Sequence, residues 1–294
     1  MYTGVYMKTI ILLASLLLSS FSLLSAQETP VPSEAPIRVI PHAEIGFVAI
    51  LEHIYRSGST AMGNSNFNFV KQGGQDILFP FSRFTVDVIA SQHRFSALYQ
   101  PLTIKTQTVA GRNATGTVKI DNTDFGTKPI NITYGFDFFR LSYLYDFLPQ
   151  PNSELGIGLS FQLRNVNVDF TSVDGLDRTV QNNVGLVPII KIKAAHRPNA
   201  AFGIDFEADG FYASSAIFNG AGKPFEGWIW DAALRIKTRI IDNSSAFLSI
   251  RSIGGGSSGT SAYDRLTATN SSSGEGYNAL ATMAVTLGVS LNDL

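Results

Sequence analysis

The sequence predicts an all-β fold, an antiparallel up-and-down β-barrel of about ten strands that spans a membrane, and three observations predict it. Apolar residues recur with a period of two over runs of ten residues or more, the spacing that places them on one face of a strand. Charged residues make up only 15% of the chain against 45% hydrophobic, whereas roughly a quarter of a soluble domain is charged. The polar segments between the alternating runs are short and long by turns, so short connections gather at one end of the strands and long ones at the other.

The first residues stand apart from this pattern. Lys8 precedes an apolar run (residues 11–26) that ends in small residues and gives way to QETPVPSEAP, the layout of an export signal (1–26) cleaved after Ala26, with Met7 as an alternative start. Serines interrupt the run, which falls short of the ~20 apolar residues a spanning helix needs. No cysteine follows it for lipid attachment. Residues 27–41 hold four prolines and read as an extended linker. Residues 42–294 are assigned to the barrel.

The strands then follow in order. The first, 43–56, ends at the polar stretch 57–75. The second and third, 77–90 and 94–107, flank a tight turn at 91–93, and the long segment 108–128 leads to the fourth, 129–148. A Pro/Asn/Ser turn at 149–153 separates it from the fifth, 154–171. After a long connection at 172–182 come the sixth and seventh, 183–195 and 201–213, around the turn 196–200. The long segment 214–226 precedes the eighth and ninth, 227–241 and 245–253, which flank 242–244. GGGSSGTS (254–261) and NSSSGEG (270–276) have the composition of flexible loop, and the tenth strand is 277–291. An even count leaves both ends of the barrel on the short-turn side. The parity of the apolar residues switches near Pro101, at Phe138 and Phe139, and near Asn165, and a β-bulge at each would restore the register.

Backbone amides cannot stay unpaired in hydrocarbon, so a sheet with an apolar outer face must close on itself. Aromatics fall where interfacial girdles belong: Tyr143, Tyr145 and Phe147 near a short turn, and Trp228, Trp230 and Tyr277 near long loops. The opposite faces carry charge. Asp205, Glu207 and Asp209 share one face of the seventh strand, between Lys191 and Lys193 on one neighbour and Arg235, Lys237 and Arg239 on the other, within reach of cross-strand pairing. Glu44, Glu52, Arg83, Asp87, Arg140, Glu154, Arg164 and Arg251 are placed in the same interior. Such a set is either a charged path for solute or an internal salt-bridge lattice. The lattice is the reading preferred for a bore little wider than that of an eight-stranded barrel, which side chains can fill.

Chemistry has little to stand on. The chain has no cysteine and a net charge of -1, which removes thiolate metal sites and a basic field for nucleic acid. His42, His93 and His196 fall at the short-turn rim. Strict alternation puts His53 on the outer face near the other end, where it could serve as a base for Ser57 or Ser59. No G-x-S-x-G, HExxH or paired metal-ligand spacing accompanies it, and NGAGKP (219–224) lacks the spacing of a phosphate loop. The sequons at Asn113, Asn131, Asn243 and Asn270 lie in Asn/Ser/Thr-rich sequence. No catalytic, metal-binding or cofactor-binding residue is assigned.

DFFRLSYLYDFL, PQPNS and ELGIGLSFQL in succession resemble the strand–turn–strand hairpins of small bacterial outer-membrane β-barrel proteins. The resemblance implies export across a Gram-negative-type envelope, residues 27–41 in the periplasm, outer-membrane lipid and the barrel-assembly machinery as partners, and short turns on the periplasmic side. It transfers no site residues. One departure is that such barrels usually end in an aromatic residue, whereas this sequence ends SLNDL. The function expected is a non-enzymatic barrel with a largely filled, charged lumen, structural or acting at the cell surface through long loops that could meet an extracellular ligand. The alternatives are a narrow channel for small solutes or ions, an outer-membrane enzyme acting on lipid or peptide, and, outside the membrane, a secreted β-sandwich or ligand-binding barrel.

Overall fold

The computed structural model describes residues 37–58, 60, 63–109, 117–148, 150–214, 226–241, 243–260 and 275–293. The expected export signal, most of the linker, Ser59, Asn113, Asn270 and the NGAGKP stretch lie outside the described residues.

The strands are β1 (Arg38–Arg56), β2 (Phe67–Asn68), β3 (Leu78–Ala90), β4 (His93–Gln100), β5 (Thr103–Gln107), β6 (Val118–Ile120), β7 (Thr123–Gly126), β8 (Ile130–Asp146), β9 (Ser153–Ser172), β10 (Arg178–Asn199), β11 (Phe202–Ser214), β12 (Glu226–Ile241), β13 (Ser244–Thr260) and β14 (Glu275–Ser290). The wall is an antiparallel meander of ten strands, with β4 and β5 as one interrupted strand. It closes where β14 pairs with β1 from His42↔Ser290 to Arg56↔Tyr277. Closure satisfies the backbone without an edge, the condition for a sheet in lipid.

The outward residues make the membrane belt. Ile45, Phe47, Phe84, Phe139, Leu141, Leu159, Phe161, Leu186, Ile236, Leu248, Ile250, Val285 and Leu287 are all exposed around the circumference. A soluble protein would bury such a band. Pairing of β1 begins at Arg38↔Ile89, inside the stretch read as linker.

Four expectations are corrected. The long connection at 172–182 is a turn of five residues, because β9 runs to Ser172 and β10 starts at Arg178. GGGSSGT is strand rather than loop: Gly254, Gly255 and Gly256 pair with Trp230, Ile229 and Trp228 on β12. A Cβ on Gly254 would lie 2.1 Å from the Trp230 ring, and one on Gly256 2.5 Å from the Trp228 ring. The glycines are flat ground for two indoles.

The third correction concerns the three parity switches, none of which is a bulge. The pairing of β4 and β5 with β8 keeps one register from Gln100↔Phe138 to Thr103↔Gly135 across Pro101. β8 and β9 stay in register through Phe138↔Arg164, and β9 and β10 through Gly185↔Arg164. These residues form one row around the wall, and what changes there is the content of the bore. Below it charged side chains such as Arg83, Arg140, Lys191, Asp209 and Asp231 face inward and are buried. Above it Leu102, Ile104, Tyr134, Ile132, Val166, Val168 and Phe170 face inward and are buried.

The fourth concerns β1, whose register does shift, between Ile50↔Thr282 and Glu52↔Ala281. This bulge at Leu51 turns His53 into the bore, fully buried, and Glu52 to the outer side, the reverse of strict alternation.

Two ladders stop short of the loop end. β3 and β4 pair only from Ala90↔His93 to Phe84↔Tyr99, and β5 beyond them pairs with β8 alone. Among the described residues β10 and β11 pair no further than Ile190↔Gly210, while β10 continues with β9 and β11 with β12.

Candidate functional site

The bore is filled in two layers. In the lower one Asp231, on β12, is the hub. It accepts hydrogen bonds from Arg83 (2.9 Å), Arg140 (2.9 Å) and Arg251 (2.6 Å). Arg83 and Arg140 stand on β3 and β8, four strands away around the wall in either direction, so these contacts cross the lumen. Glu44 is a second hub, with Arg251 at 3.1 Å, Arg235 at 3.5 Å, Arg83 at 3.6 Å and the Thr286 hydroxyl at 2.8 Å.

The acidic strand lies between its basic neighbours. Lys191 donates to Asp209 at 2.9 Å, Lys193 to Glu207 at 3.2 Å, Lys237 to Asp205 at 2.6 Å and Arg235 to Glu207 at 3.2 Å. Lys193 also stands 3.9 Å from Asp205, and Arg140 lies 2.9 Å from Asp209. Arg239, one step beyond Lys237 on the same face, emerges at the rim and is exposed. Below the acidic strand Arg94 joins Asp87 at 2.6 Å and Glu154 at 2.7 Å.

Sequence reasoning placed Glu44 among the interior charges and singled out neither it nor Asp231, because each gathers, besides a partner on an adjacent strand, cations from strands further around the wall. Asp293 was missed altogether. Asn292 adopts a left-handed φ of 57° and turns the chain into the periplasmic mouth. There Asp293 is buried, accepting from Ser245 at 2.8 Å and Lys237 at 3.2 Å. The short polar ending SLNDL was the available signal.

The upper layer is apolar. Phe67 and Phe69, from the connection after β1, fold into the bore and are fully buried, with Phe67–Phe69 ring centroids 5.2 Å apart and Phe67–Phe170 5.3 Å. Val118, Ile120 and Phe125 of the β6–β7 hairpin pack into the same cluster. His53 stacks on Phe69 at 3.9 Å, and its Nδ1 shares a 2.7 Å hydrogen bond with Gln75 Oε1. The Ser57 hydroxyl donates to Asp121 at 3.1 Å, and Asp121 also accepts from Gln181 on β10. His53 thus meets Gln75 through Nδ1, with Nε2 buried and unpartnered, and Ser57 meets Asp121. Among the described residues no group of three or more His, Cys, Asp or Glu is placed to hold a metal ion.

Of the aromatic set, Tyr143 and Phe147 are exposed by the short turns, and Tyr145 is partly so. Tyr143 shares a 2.8 Å hydrogen bond with His93, and the Tyr145 hydroxyl donates to Gln92 at 3.2 Å. Trp228 and Trp230 lie over the glycines near the loop end, with Trp230 Nε1 donating to Ser252 at 3.1 Å. Tyr277 is opposite Arg56 at the top of the closing seam.

No protein-family model matches the sequence, and no curated protein matches it. Similar solved structures include the outer-membrane protease OmpT from Escherichia coli, at 11% identity and a TM-score of 0.48 over 89% of this chain and 98% of that one. They include the outer-membrane protein OprG from Pseudomonas aeruginosa, at 8% and 0.32 over 88% and 97%. The attachment invasion locus protein Ail of Yersinia pestis, solved with the heparin analogue sucrose octasulfate, matches at 8% and 0.31 over 86% and 99%. The roles in those names stay with those proteins. The closed wall, short turns at one end and outward apolar belt of this chain are its own, and they make it an outer-membrane β-barrel of bacterial type.

Proposed function

We propose that the chain is a non-enzymatic outer-membrane barrel with a bore sealed by its own side chains, acting through the structure it presents beyond the membrane. The observation that supports this best is the pair of unlike layers in one bore: a lattice centred on Asp231 that reaches across the lumen, and an apolar plug carrying Phe67 and Phe69 above it. Opposite charges that pair leave no single-sign ring to select an ion. An apolar plug gives a hydrated solute no replacement for its water.

Beyond the belt the structure is well braced. Above Leu163 the outward residues of β9 become Asn165, Asn167, Asp169 and Thr171, eight residues or about 26 Å of strand. Arg178 pairs with Asp169 at 2.6 Å, and Lys128 ties the β9–β10 turn through Asp174 and Asp177. That is a rigid surface to present to the outside. Purified protein in planar bilayers should show no steady channel steps. A stable, large unit conductance would reject this reading in favour of transport.

A further inference from the structure

The wall is unladdered beside an unmatched cation of the bore. Beyond Ile190↔Gly210, Leu186 to Ile189 of β10 no longer pair with Phe211 to Ser214 of β11. Pro188, on that stretch, has no N–H to give to any ladder. Just inside stands Arg164, facing Gly185 across the β9–β10 ladder. Its neighbours below, Arg140, Lys191 and Arg235 among them, all have carboxylates within 3.2 Å. Arg164 has no ion pair among the described residues, and its Nε is buried without a hydrogen-bond partner, although the side chain as a whole is only partly buried. Gly185 leaves the guanidinium uncovered on that side: a Cβ there would sit 3.2 Å from Nε and 3.8 Å from Nη2.

We propose that the gap between β10 and β11 is a lateral binding site for an amphipathic anion, its carboxylate or phosphate head held by Arg164 and its apolar tail lying on the outer wall. A guanidinium with a buried, unpartnered nitrogen gains from a counter-charge, and every other guanidinium described in the bore has one from the chain itself. The charged lattice closes the way from below, and the unladdered wall offers an approach from the lipid side. The lips of the gap suit a tail: Val184 and Leu186 are each 67% exposed, and Tyr212 is 50% exposed. The proposal rests on the membrane placement of the barrel but not on the absence of a channel, so a conductance result leaves it standing.

The test uses the full chain in phosphatidylcholine vesicles with spin-labelled stearate at pH 8, reading the motionally restricted fraction. Spin-labelled phosphatidylcholine serves as reference and spin-labelled phosphatidic acid as a second arm. Stearate, phosphatidic acid or both should be restricted in preference to phosphatidylcholine, and the arm with the larger preference identifies the head group. Arg164→Gln should lower that preference about tenfold, the equivalent of one charge-assisted hydrogen bond, and Arg164→Lys should keep most of it. Gly185→Ala, which covers the guanidinium, should act like Arg164→Gln, while unchanged heat-modifiability on gels shows that each variant still folds. Equal restriction of all three probes, or a preference that survives Arg164→Gln, would overturn the proposal. Displacement of stearate by inorganic phosphate at equal concentration would overturn the need for a tail.

Discussion

Asp231 shows how much one side chain can hold when two of its three cationic partners come from across a bore. Replacing it with Asn leaves Arg83, Arg140 and Arg251, each 1% exposed, facing one another. Breaking a buried pair from one side costs about 3–5 kcal/mol. Asp231→Asn should therefore lower the unfolding temperature of the barrel clearly, whereas Asp124→Asn, at an exposed carboxylate on β7, should hardly move it. Heat-modifiability gels across a temperature series would measure both, and equal shifts would mean the lattice is open to bulk water. Asp174, in the β9–β10 turn outside the membrane, makes a different prediction. Its carboxyl is held down to about 2 by the Ser172 hydroxyl first, then by the Leu176 N–H and Lys128. A carboxyl whose folded pKa lies below its ordinary 3.8 stabilises the turn above that value and loses the effect as pH falls through the folded one. Protection factors of the Leu176 and Asp177 amides should hold from neutrality to about pH 4 and decline between there and pH 2.

At the scale of the strand, Gly254 and Gly256 exist for Trp230 and Trp228. Adding a methyl at Gly254 places it 2.1 Å from the Trp230 ring and 2.6 Å from the Leu280 carbonyl oxygen, so Gly254→Ala must displace the indole or the ladder. The chain has two tryptophans, both in this girdle, so intrinsic fluorescence reads the girdle alone. Gly254→Ala should shift the emission and change quenching by lipid-borne bromine, whereas Gly175→Ala, in a surface turn, should leave the spectrum unchanged. Composition misled here, because a glycine run reads as loop until the rings it must accommodate are known. The alternation itself was legible: all ten wall strands could be read from the period of two, and the rows of Lys191, Asp209, Lys237 and their neighbours followed from parity and hairpin order. Phe138 and Asn165 were legible as places where parity switches but not as to cause. A strand whose outer face turns polar while its inner face turns apolar looks, in sequence, the same as a strand that has slipped by one residue. The slip that is real, at Leu51, hid because Leu51, Ile54 and Tyr55 are apolar or amphipathic on either parity.

For the whole molecule the two layers make a prediction that neither makes alone. They close the bore by unlike means, paired charge below the Gln100–Phe138–Arg164 row and packed rings above it, so damage to one should not propagate to the other. Phe67→Ala with Phe69→Ala empties much of the plug but leaves Asp231 bridged across the lumen to β3 and β8. Asp231→Asn loosens the bridge but leaves the rings of Phe67, Phe69 and Phe170 within 5.5 Å of one another. Liposomes carrying the native chain or either of these variants should resist swelling in a pentose solution. The combination of the three substitutions should admit the sugar, because water can then enter from both ends and solvate the remaining lumen charges. Swelling with the native chain would show that the layers do not seal. Swelling with the plug variant alone would place the whole barrier in the apolar layer and make the charged lattice a wetted path, as in a gated channel.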